Sequence, residues 1–299
     1  MYRGKIEYGM KPNKENFSPS RSFRSLNSAT PGPSPPIIGF RREVHHNLTT
    51  QYSICITHYN NAPTIRQSLE SILNQIDNQF EIVVVDSLST DGSREILGEY
   101  AKGGRVKLLE KRCSRGRGRQ TALENSSGDY IIANLDMDDV FDSKLRELLD
   151  FYHVKCEGNL LRATKDDDPD RWAQNVTIAP RKLLIELGGW PDLQLFEDWY
   201  LWARAARARK YSWTVFPLAI NETAHPERNS SAGKIKFRYL RYREAMRLGR
   251  TISFSEGEKV SMAQRVAKTI ALLSLPFKKS YKGQVDLSFR PFDSSFHVN

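Results

Sequence analysis

Residues 131–140 read IIANLDMDDV, an apolar run that ends in three aspartates within four positions. A buried strand of a parallel sheet delivers polar groups to the sheet edge in this way, and ligands bind at that edge in open α/β folds. Asp-rich turns are also common on protein surfaces, because the short side chain bonds to its own backbone. The neighbouring segments must therefore decide between a binding site and a solvated turn.

The sequence around this stretch alternates strand-like and helix-like segments. Four short apolar runs predict strands: YSICIT (52–57), EIVVVD (81–86), RVKLLE (105–110) and DYIIANL (129–135). One predicted helix has a single apolar face made by Ile65, Leu69, Ile72, Leu73 and Ile76. STDGS (89–93) is a helix cap, and RQTALENSS (119–127) predicts a further short helix. This alternation indicates an α/β fold with a mostly parallel central sheet flanked by helices.

The second half of the chain also contains predicted strands and helices, but their alternation is less regular. NVTIAP (175–180) and YSWTVFPL (211–218) predict strands, and FEDWYLWARAARAR (196–209) predicts a helix. Gly188 and Gly189 end another helix, and residues 234–249 and 259–275 predict two basic helices. We therefore expect three parts: a disordered basic arm rich in Pro and Ser (1–50), a central α/β domain (51–227) and a basic helical extension (228–299).

Charge and composition limit the function classes. Basic residues outnumber acidic ones by 8 to 3 in residues 1–50 and by 15 to 5 in residues 228–299, whereas residues 51–227 hold 22 basic and 27 acidic residues. A mildly acidic centre argues against nucleic acid as the main partner, while the basic ends fit an anionic surface. The three cysteines lack metal-binding spacing, and no apolar run has the length of a signal peptide or a membrane span. We expect a cytoplasmic protein.

The predicted topology brings acidic side chains together. Parallel strands share one carboxyl edge, so Asp86 should lie near Asp136 and Asp138. Carboxylate oxygens without neighbouring Cys or His suit Mg²⁺ or Mn²⁺, and Mg²⁺ usually binds one or two carboxylates together with ligand phosphates. A nucleoside diphosphate is therefore the expected partner.

Five motifs occur in an order that we recognise: YSICITHYNN, EIVVVDSLSTDGS, RQTALENSSGDYIIANLDMDD, LGGW and FEDWYLWAR. Together they resemble the family 2 glycosyltransferases of GT-A fold, across residues 52–204. The resemblance implies an inverting transfer of a sugar from a nucleoside-diphosphate sugar to an acceptor hydroxyl. The acceptor would be a carbohydrate or a lipid-linked molecule.

The resemblance also implies roles for individual residues. The donor nucleotide would contact Thr57, Tyr59, Asn60, Asp86, Arg119 and Asp136. A Mn²⁺ or Mg²⁺ ion would bind Asp136 and Asp138, and His225 is a candidate third ligand because some family members place a histidine there. A lone histidine in a polar loop is more often simply exposed.

Asp198 is the candidate catalytic base. It shares a helical face with Leu201, Trp202 and Ala205, which aims an acid at an apolar interior. Without the resemblance, an ordinary acid in a first helical turn would be the simpler interpretation. The resemblance aligns the family's Glu-Asp motif with Glu197 and Asp198, and makes Asp198 the general base.

Three further features have alternative interpretations. Arg115, Arg117 and Arg119 lie in CSRGRGRQ, which we interpret as a basic loop punctuated by glycine that either binds phosphate or is simply exposed. The indoles of Trp172 and Trp190 suit a sugar cleft or ordinary packing. The segment RVAKTIALLSLPFKKSYKG (265–283) either covers the core as an amphipathic helix or lies at a membrane interface.

Two other function classes compete with sugar transfer. A nucleotidyltransferase also uses an α/β sheet and a metal held by aspartates, but makes or consumes a nucleoside triphosphate. A non-enzymatic protein could use its basic ends to bind membranes or polyanions.

Overall fold

The structure is a computed structural model that describes residues 51–167, 175–221, 231–250 and 261–299. The predicted arm at 1–50 lies outside these ranges, as do His225 and Trp172. The domain boundaries after residues 50 and 227 therefore stay predictions.

Seven strands form the central sheet in the order β3-β2-β1-β4-β7-β6-β8, and β5 pairs with β9 in a small second sheet. The strands are β1 (Tyr52–His58), β2 (Phe80–Asp86), β3 (Lys107–Glu110), β4 (Tyr130–Ala133), β5 (Val140–Phe141), β6 (Leu160–Thr164), β7 (Asn175–Pro180), β8 (Tyr211–Val215) and β9 (Ala219–Asn221). β1 pairs in parallel with β2 and β4, whereas β7 is antiparallel to both β4 and β6. The expected mostly parallel sheet is confirmed.

Eight helices surround the sheet within the described ranges: α1 (Ile65–Leu73), α2 (Ser93–Lys102), α3 (Arg115–Glu124), α4 (Leu145–Lys155), α5 (Arg181–Glu186), α6 (Glu197–Arg207), α7 (Ser231–Arg247) and α8 (Met262–Ser274). None of them combines the length and the hydropathy needed to cross a lipid bilayer. The predicted helical extension is confirmed by α7 and α8.

The central strands are apolar on both faces because helices cover both sides of the sheet. Ile54 and Val84 pack with Leu69 of α1 in one layer. Cys55 and Val83, which alternate with them along the strands, pack in the opposite layer with α3, α5 and α6. This two-sided burial explains why these segments read as continuous apolar runs rather than alternating ones.

The predicted loop at CSRGRGRQ is wrong, because these residues form the start of α3. The Ser114 side chain caps the helix by accepting a hydrogen bond from the Arg117 backbone N–H. Glycine disfavours helices, so the sequence favoured a loop. Close packing requires these glycines: a Cβ at Gly116 would lie 2.0 Å from the Pro191 carbonyl oxygen, and one at Gly118 would lie 2.1 Å from Thr57 Oγ1.

Replacing Gly118 by Ala should lower the free energy of unfolding by about 1 to 3 kcal/mol, the usual range for overpacking a core. Rotating the Thr57 side chain does not relieve the contact, because its Cβ would also lie only 2.9 Å away. Urea denaturation followed by circular dichroism measures the change. The matched control is Gly98→Ala in α2, where an added Cβ meets nothing within 4 Å and helix propensity should add up to about 1 kcal/mol. Equal stabilities of the two variants would contradict this account of α3.

Strand β6 was missed by the sequence analysis because Arg162 interrupts its apolar pattern. The side chain is nevertheless buried, with its guanidinium 4.3 Å from the Trp202 ring centroid and 4.1 Å from that of Phe292. Its Nε also donates to Asn175 Oδ1 over 2.8 Å. Stacking between two rings keeps the cation inside the sheet layer.

The chain after α8 runs across α6 and β8. Tyr281 and Phe289 join the core layer that contains Trp199 and Tyr211. At the sheet edge, the Val298 backbone N–H donates to the Trp213 carbonyl over 3.0 Å. Residues 278–299 therefore complete one core layer and cover strand β8.

Candidate active site

Arg119 lies at the centre of the acidic residues that the sequence analysis selected. Its side chain is buried on α3, and Nη1 donates to Glu197 Oε1 and, over 2.9 Å, to Asp198 Oδ2. Nη2 lies 3.9 Å from Asp136 Oδ1, just beyond strand β4. A single guanidinium thus connects the acid at the sheet edge with the two acids that begin α6.

The charges in this cluster shift each other's protonation. Burial lowers the pKa of the Arg119 guanidinium, but the carboxylates of Asp198, Glu197 and Asp136 outweigh burial and raise it above its usual value. Burial and the Asp198 carboxylate raise the pKa of Glu197, although Arg119 and Arg115 oppose the rise. Arg119 therefore stays charged, and the ionised form of Glu197 depends on it.

Asp198 has a less apolar environment than its helical face predicted. Its side chain is 17% exposed, Oδ1 accepts a hydrogen bond from Trp190 Nε1 over 2.7 Å, and Oδ2 accepts from Arg119. The expectation of an apolar environment is wrong, because the Trp190 indole N–H and the Arg119 guanidinium contact the two oxygens. The more deeply buried acid of the Glu-Asp pair is Glu197. Asp198 is thus a partly open carboxylate with both oxygens oriented.

Asp136 and Asp138 lie on the turn after β4, where the Asp136 side chain is 59% exposed. The turn is held in place by Thr64 Oγ1, which donates to the Met137 carbonyl over 2.8 Å, and by the Asp139 N–H, which donates to the Asp136 carbonyl over 3.1 Å. Asp139 therefore braces this turn.

The donor atoms on this turn fit a hard divalent cation. In the described ranges, no group of three or more His, Cys, Asp or Glu side chains is placed to hold a metal ion. Two carboxylates at this turn, of which that of Asp136 is exposed, suit Mg²⁺ or Mn²⁺, which complete their coordination with phosphate oxygens and water. The role predicted for His225 falls outside the described residues.

Hydrogen bonds join the loop after β1 to the loop after β2. Asn60 has a left-handed backbone with φ of 55°, its Oδ1 accepts from the Thr90 N–H over 2.9 Å, and its own N–H donates to Ser89 Oγ over 3.0 Å. Asp86 is fully buried and accepts from both the N–H and the hydroxyl of Ser89. Asn60 and Asp86 thus support these loops, and their direct contact with a nucleotide stays a prediction.

Thr57 and Tyr59 differ in exposure. Tyr59 is exposed, whereas Thr57 lies beneath Gly118 of α3. Between them His58 is buried, and neither of its ring nitrogens has a hydrogen-bond partner in the part of the chain that the structure describes. Burial lowers the pKa of His58, although nearby carboxylates including Asp86 oppose the shift. A neutral imidazole therefore lies at the end of β1.

The three arginines of α3 have separate positions. Arg115 Nη1 lies 3.7 Å from Glu197 Oε1, next to Arg119, whereas Arg117 Nη1 lies 3.6 Å from Glu124 Oε1 on the exposed side of the helix. Local sequence patterns predicted neither the pairing of Arg119 with Glu197 nor the hydrogen bond from the Trp190 indole. Arg119 and Glu197 are 78 positions apart, and the eight positions between Trp190 and Asp198 span the end of a loop and the start of α6, so no helix or strand periodicity predicts either contact.

Comparisons with known proteins place this geometry in a family. Residues 53–204, about half the chain, match the model of glycosyl transferase family 2. This range begins in β1, ends in α6 and contains Arg119, Asp136 and Asp198. An Escherichia coli relative, UDP-Glc:alpha-D-GlcNAc-diphosphoundecaprenol beta-1,3-glucosyltransferase WfgD, is 36% identical over 98 residues, which are 32% of this chain and 38% of the relative. The alignments with curated relatives take in two fifths of their length or less.

Solved structures show the same fold. Staphylococcus aureus TarS 1-349 in complex with UDP-GlcNAc has a TM-score of 0.53 and 18% identity, covering 75% of this chain and 80% of that one. The mannosyltransferase PcManGT of Pyrobaculum calidifontis, in complex with GDP-Man and Mn²⁺, has a TM-score of 0.52 and 20% identity, covering 76% and 72%. The predicted GT-A fold is confirmed, and the chain belongs to glycosyl transferase family 2.

Proposed function

We propose that this protein transfers a sugar from a nucleoside-diphosphate sugar to an acceptor hydroxyl with inversion at the anomeric carbon. The observation that carries the proposal is the position of Arg119, which contacts Asp198 and lies 3.9 Å from Asp136. Arg119 thus lies between Asp198, which would be the base for the acceptor hydroxyl, and Asp136, which would bind the metal at the donor diphosphate.

Asp198 would act as the general base. Its two oxygens accept one hydrogen bond each from Trp190 and Arg119. A carboxylate has about four lone-pair positions, so the remaining ones can accept the proton of an acceptor hydroxyl. As the proton moves to Asp198, the hydroxyl oxygen attacks the anomeric carbon from the face opposite the diphosphate. The bond to the diphosphate breaks, and the configuration inverts.

The donor side supplies charge stabilisation. Asp136 and Asp138 would hold Mn²⁺ or Mg²⁺, which when bound neutralises negative charge on the departing diphosphate. The loops after β1 and β2, with Thr57, Tyr59, Asn60 and Asp86, would bind the base and ribose.

The comparisons support the choice of substrates. The E. coli relative is named as a glucosyltransferase that uses UDP-Glc and a diphosphoundecaprenol-linked acceptor. The two solved structures hold UDP-GlcNAc in one case and GDP-Man with Mn²⁺ in the other. We therefore propose a uridine or guanosine diphosphate sugar as donor and a carbohydrate or lipid-linked carbohydrate as acceptor.

A thermal-shift screen of UDP-, GDP- and dTDP-sugars with Mn²⁺ or Mg²⁺ tests the donor. A ligand at a hundred times its Kd adds about 2.7 kcal/mol, so the correct donor should raise Tm by about 5 °C in the presence of cation. Asp138→Asn should lose the part of the shift that depends on the cation. Asp77→Asn is the control, because Asp77 is exposed and pairs with Arg146.

Two results would contradict the proposal. One is that no donor raises Tm with either cation. The other is that incubation with the stabilising nucleotide sugar yields a nucleoside triphosphate rather than the diphosphate, which would indicate a nucleotidyltransferase.

A further inference from the structure

Helix α8 exposes a row of large apolar side chains. Met262, Val266, Ile270 and Leu273 follow one another at spacings of four, four and three residues, so they share one helical face. Their exposed fractions are 81%, 42%, 49% and 70%. Ordinary amphipathic helices bury this kind of face.

The opposite face of α8 makes the intramolecular contacts. The buried residues of α8 within the described ranges are the small side chains Ala267 and Ala271, and the helix packs against α7. Of the segment 265–283, Tyr281 therefore joins the core, whereas the large apolar residues of α8 do not. Two alanines form the buried face of α8, and its large apolar side chains are exposed.

The apolar row continues beyond the helix and is bordered by cations. Phe277, in the 3₁₀ turn after α8, is 84% exposed. Exposed basic residues lie beside the row and just after it: Arg265, Lys278, Lys279 and Lys282. In residues 231–250 and 261–299 there are thirteen Lys and Arg side chains and three acidic ones. We call Met262, Val266, Ile270, Leu273 and Phe277 with these four cations the α8 surface.

We propose that the α8 surface docks on the interface of an anionic lipid membrane. Apolar side chains of a surface helix enter the boundary between headgroups and acyl chains, while neighbouring Lys and Arg bind anionic headgroups. A protein partner fits less well, because the buried centres of protein interfaces are depleted in charged residues and lysine is rare there. The net positive charge of this region complements the negative charge of lipid phosphates.

The docking surface is connected to the segment that carries the candidate base. Arg247, near the end of α7, donates from Nε to the Lys279 carbonyl and from Nη2 to the Asp192 carbonyl. Asp192 lies between Trp190 and Asp198 in the chain. If the proposed sugar transfer holds, docking would bring a lipid-linked acceptor to the side of the protein where Asp198 lies.

Vesicle flotation with the full chain and no substrate tests the proposal. The vesicles contain either phosphatidylcholine alone or phosphatidylcholine with 30 mol% phosphatidylglycerol. We expect at least about tenfold stronger binding to the anionic vesicles, decreasing as salt is raised. The triple variant Val266→Ser, Ile270→Ser, Leu273→Ser should lower that binding at least about tenfold.

The matched control is Val154→Ser with Ile185→Ser, which changes two exposed apolar residues outside the α8 surface and should leave binding unchanged. Thermal melting verifies that every variant is folded. Equal vesicle binding by the parent and the triple variant would overturn the proposal. The proposal would also be overturned if the parent protein did not bind vesicles but formed a dimer, and the triple variant were monomeric. The assay contains no donor, so its failure leaves the proposed transfer reaction untested and intact.

Discussion

Replacing Asp198 by Asn is expected to lower sugar transfer by roughly 10³-fold, within the range that general-base catalysis contributes. The amide keeps an oxygen for the Trp190 indole but cannot accept the acceptor's proton. Donor binding should persist, because the donor would contact the sheet edge rather than α6. Release of nucleoside diphosphate measures turnover, and the thermal shift with donor measures binding.

The control for this variant is Asp192→Asn, an exposed acid six positions earlier in the same segment. Its Oδ1 accepts a hydrogen bond from the Ser114 hydroxyl, which an amide oxygen also accepts. Transfer by this variant should stay close to that of the parent. If Asp198→Asn retained more than a tenth of the parental turnover, another group would have to be the base.

Replacing Arg119 by Leu is expected to lower the free energy of unfolding by about 3 to 5 kcal/mol at neutral pH, as breaking a buried ion pair does. The change leaves Glu197 buried, with Arg115 3.7 Å away as its nearest cation. Transfer should also fall, because Asp198 loses one of its two orienting donors. Urea denaturation and the nucleotide-release assay measure the two effects.

The stability loss in Arg119→Leu should depend on pH. The pKa of Glu197 is raised in the folded protein, so its protonated form is more favourable there than in the unfolded chain, and losing Arg119 should raise the pKa further. A raised carboxyl pKa gives stability that is present at low pH and is lost as pH rises through the folded pKa. The variant should therefore recover part of its stability at pH 5 compared with pH 8.

Two further variants distinguish the effect of the buried Arg119–Glu197 pair on stability from the effect of an exposed charge. Arg117→Leu removes an exposed arginine from the same helix and should cost no more than about 1 kcal/mol. Adding Glu197→Leu to Arg119→Leu removes both partners and should restore most of the stability without restoring transfer. If Arg119→Leu unfolded at the same urea concentration as Arg117→Leu, the central role of Arg119 would be wrong.

Local patterns predicted most of the elements of this fold. The apolar runs of β1, β2 and β4 and the helical face of α1 depend on neighbours within a few residues, so the sequence analysis located them. The start of α3 was wrong because Gly116 and Gly118 are required by contacts with distant backbone and side chains. β6 was missed because Arg162 is made compatible with burial by Trp202 and Phe292, 40 and 130 positions away.

The candidate site likewise has features that the sequence predicted and features that depend on distant residues. The acids at the end of β4 follow from a local motif, and Asp198 was selected through the family resemblance. The partners that define their environments come from elsewhere in the chain: Arg119 and Glu197 are 78 positions apart. Propensity and periodicity carry no information about such pairs, so the environment of Asp198 could only come from the structure.

The two edges of the central sheet bear on how the protein behaves at high concentration. An unprotected edge strand pairs with strands of other molecules and starts aggregation. At one edge, β3 has only four residues, and its Lys107 and Glu110 are exposed charges. At the other edge, the Val298 N–H occupies the Trp213 carbonyl of β8. Shortness with charge on one side and coverage on the other both oppose intermolecular strand pairing, which favours a protein that stays dispersed.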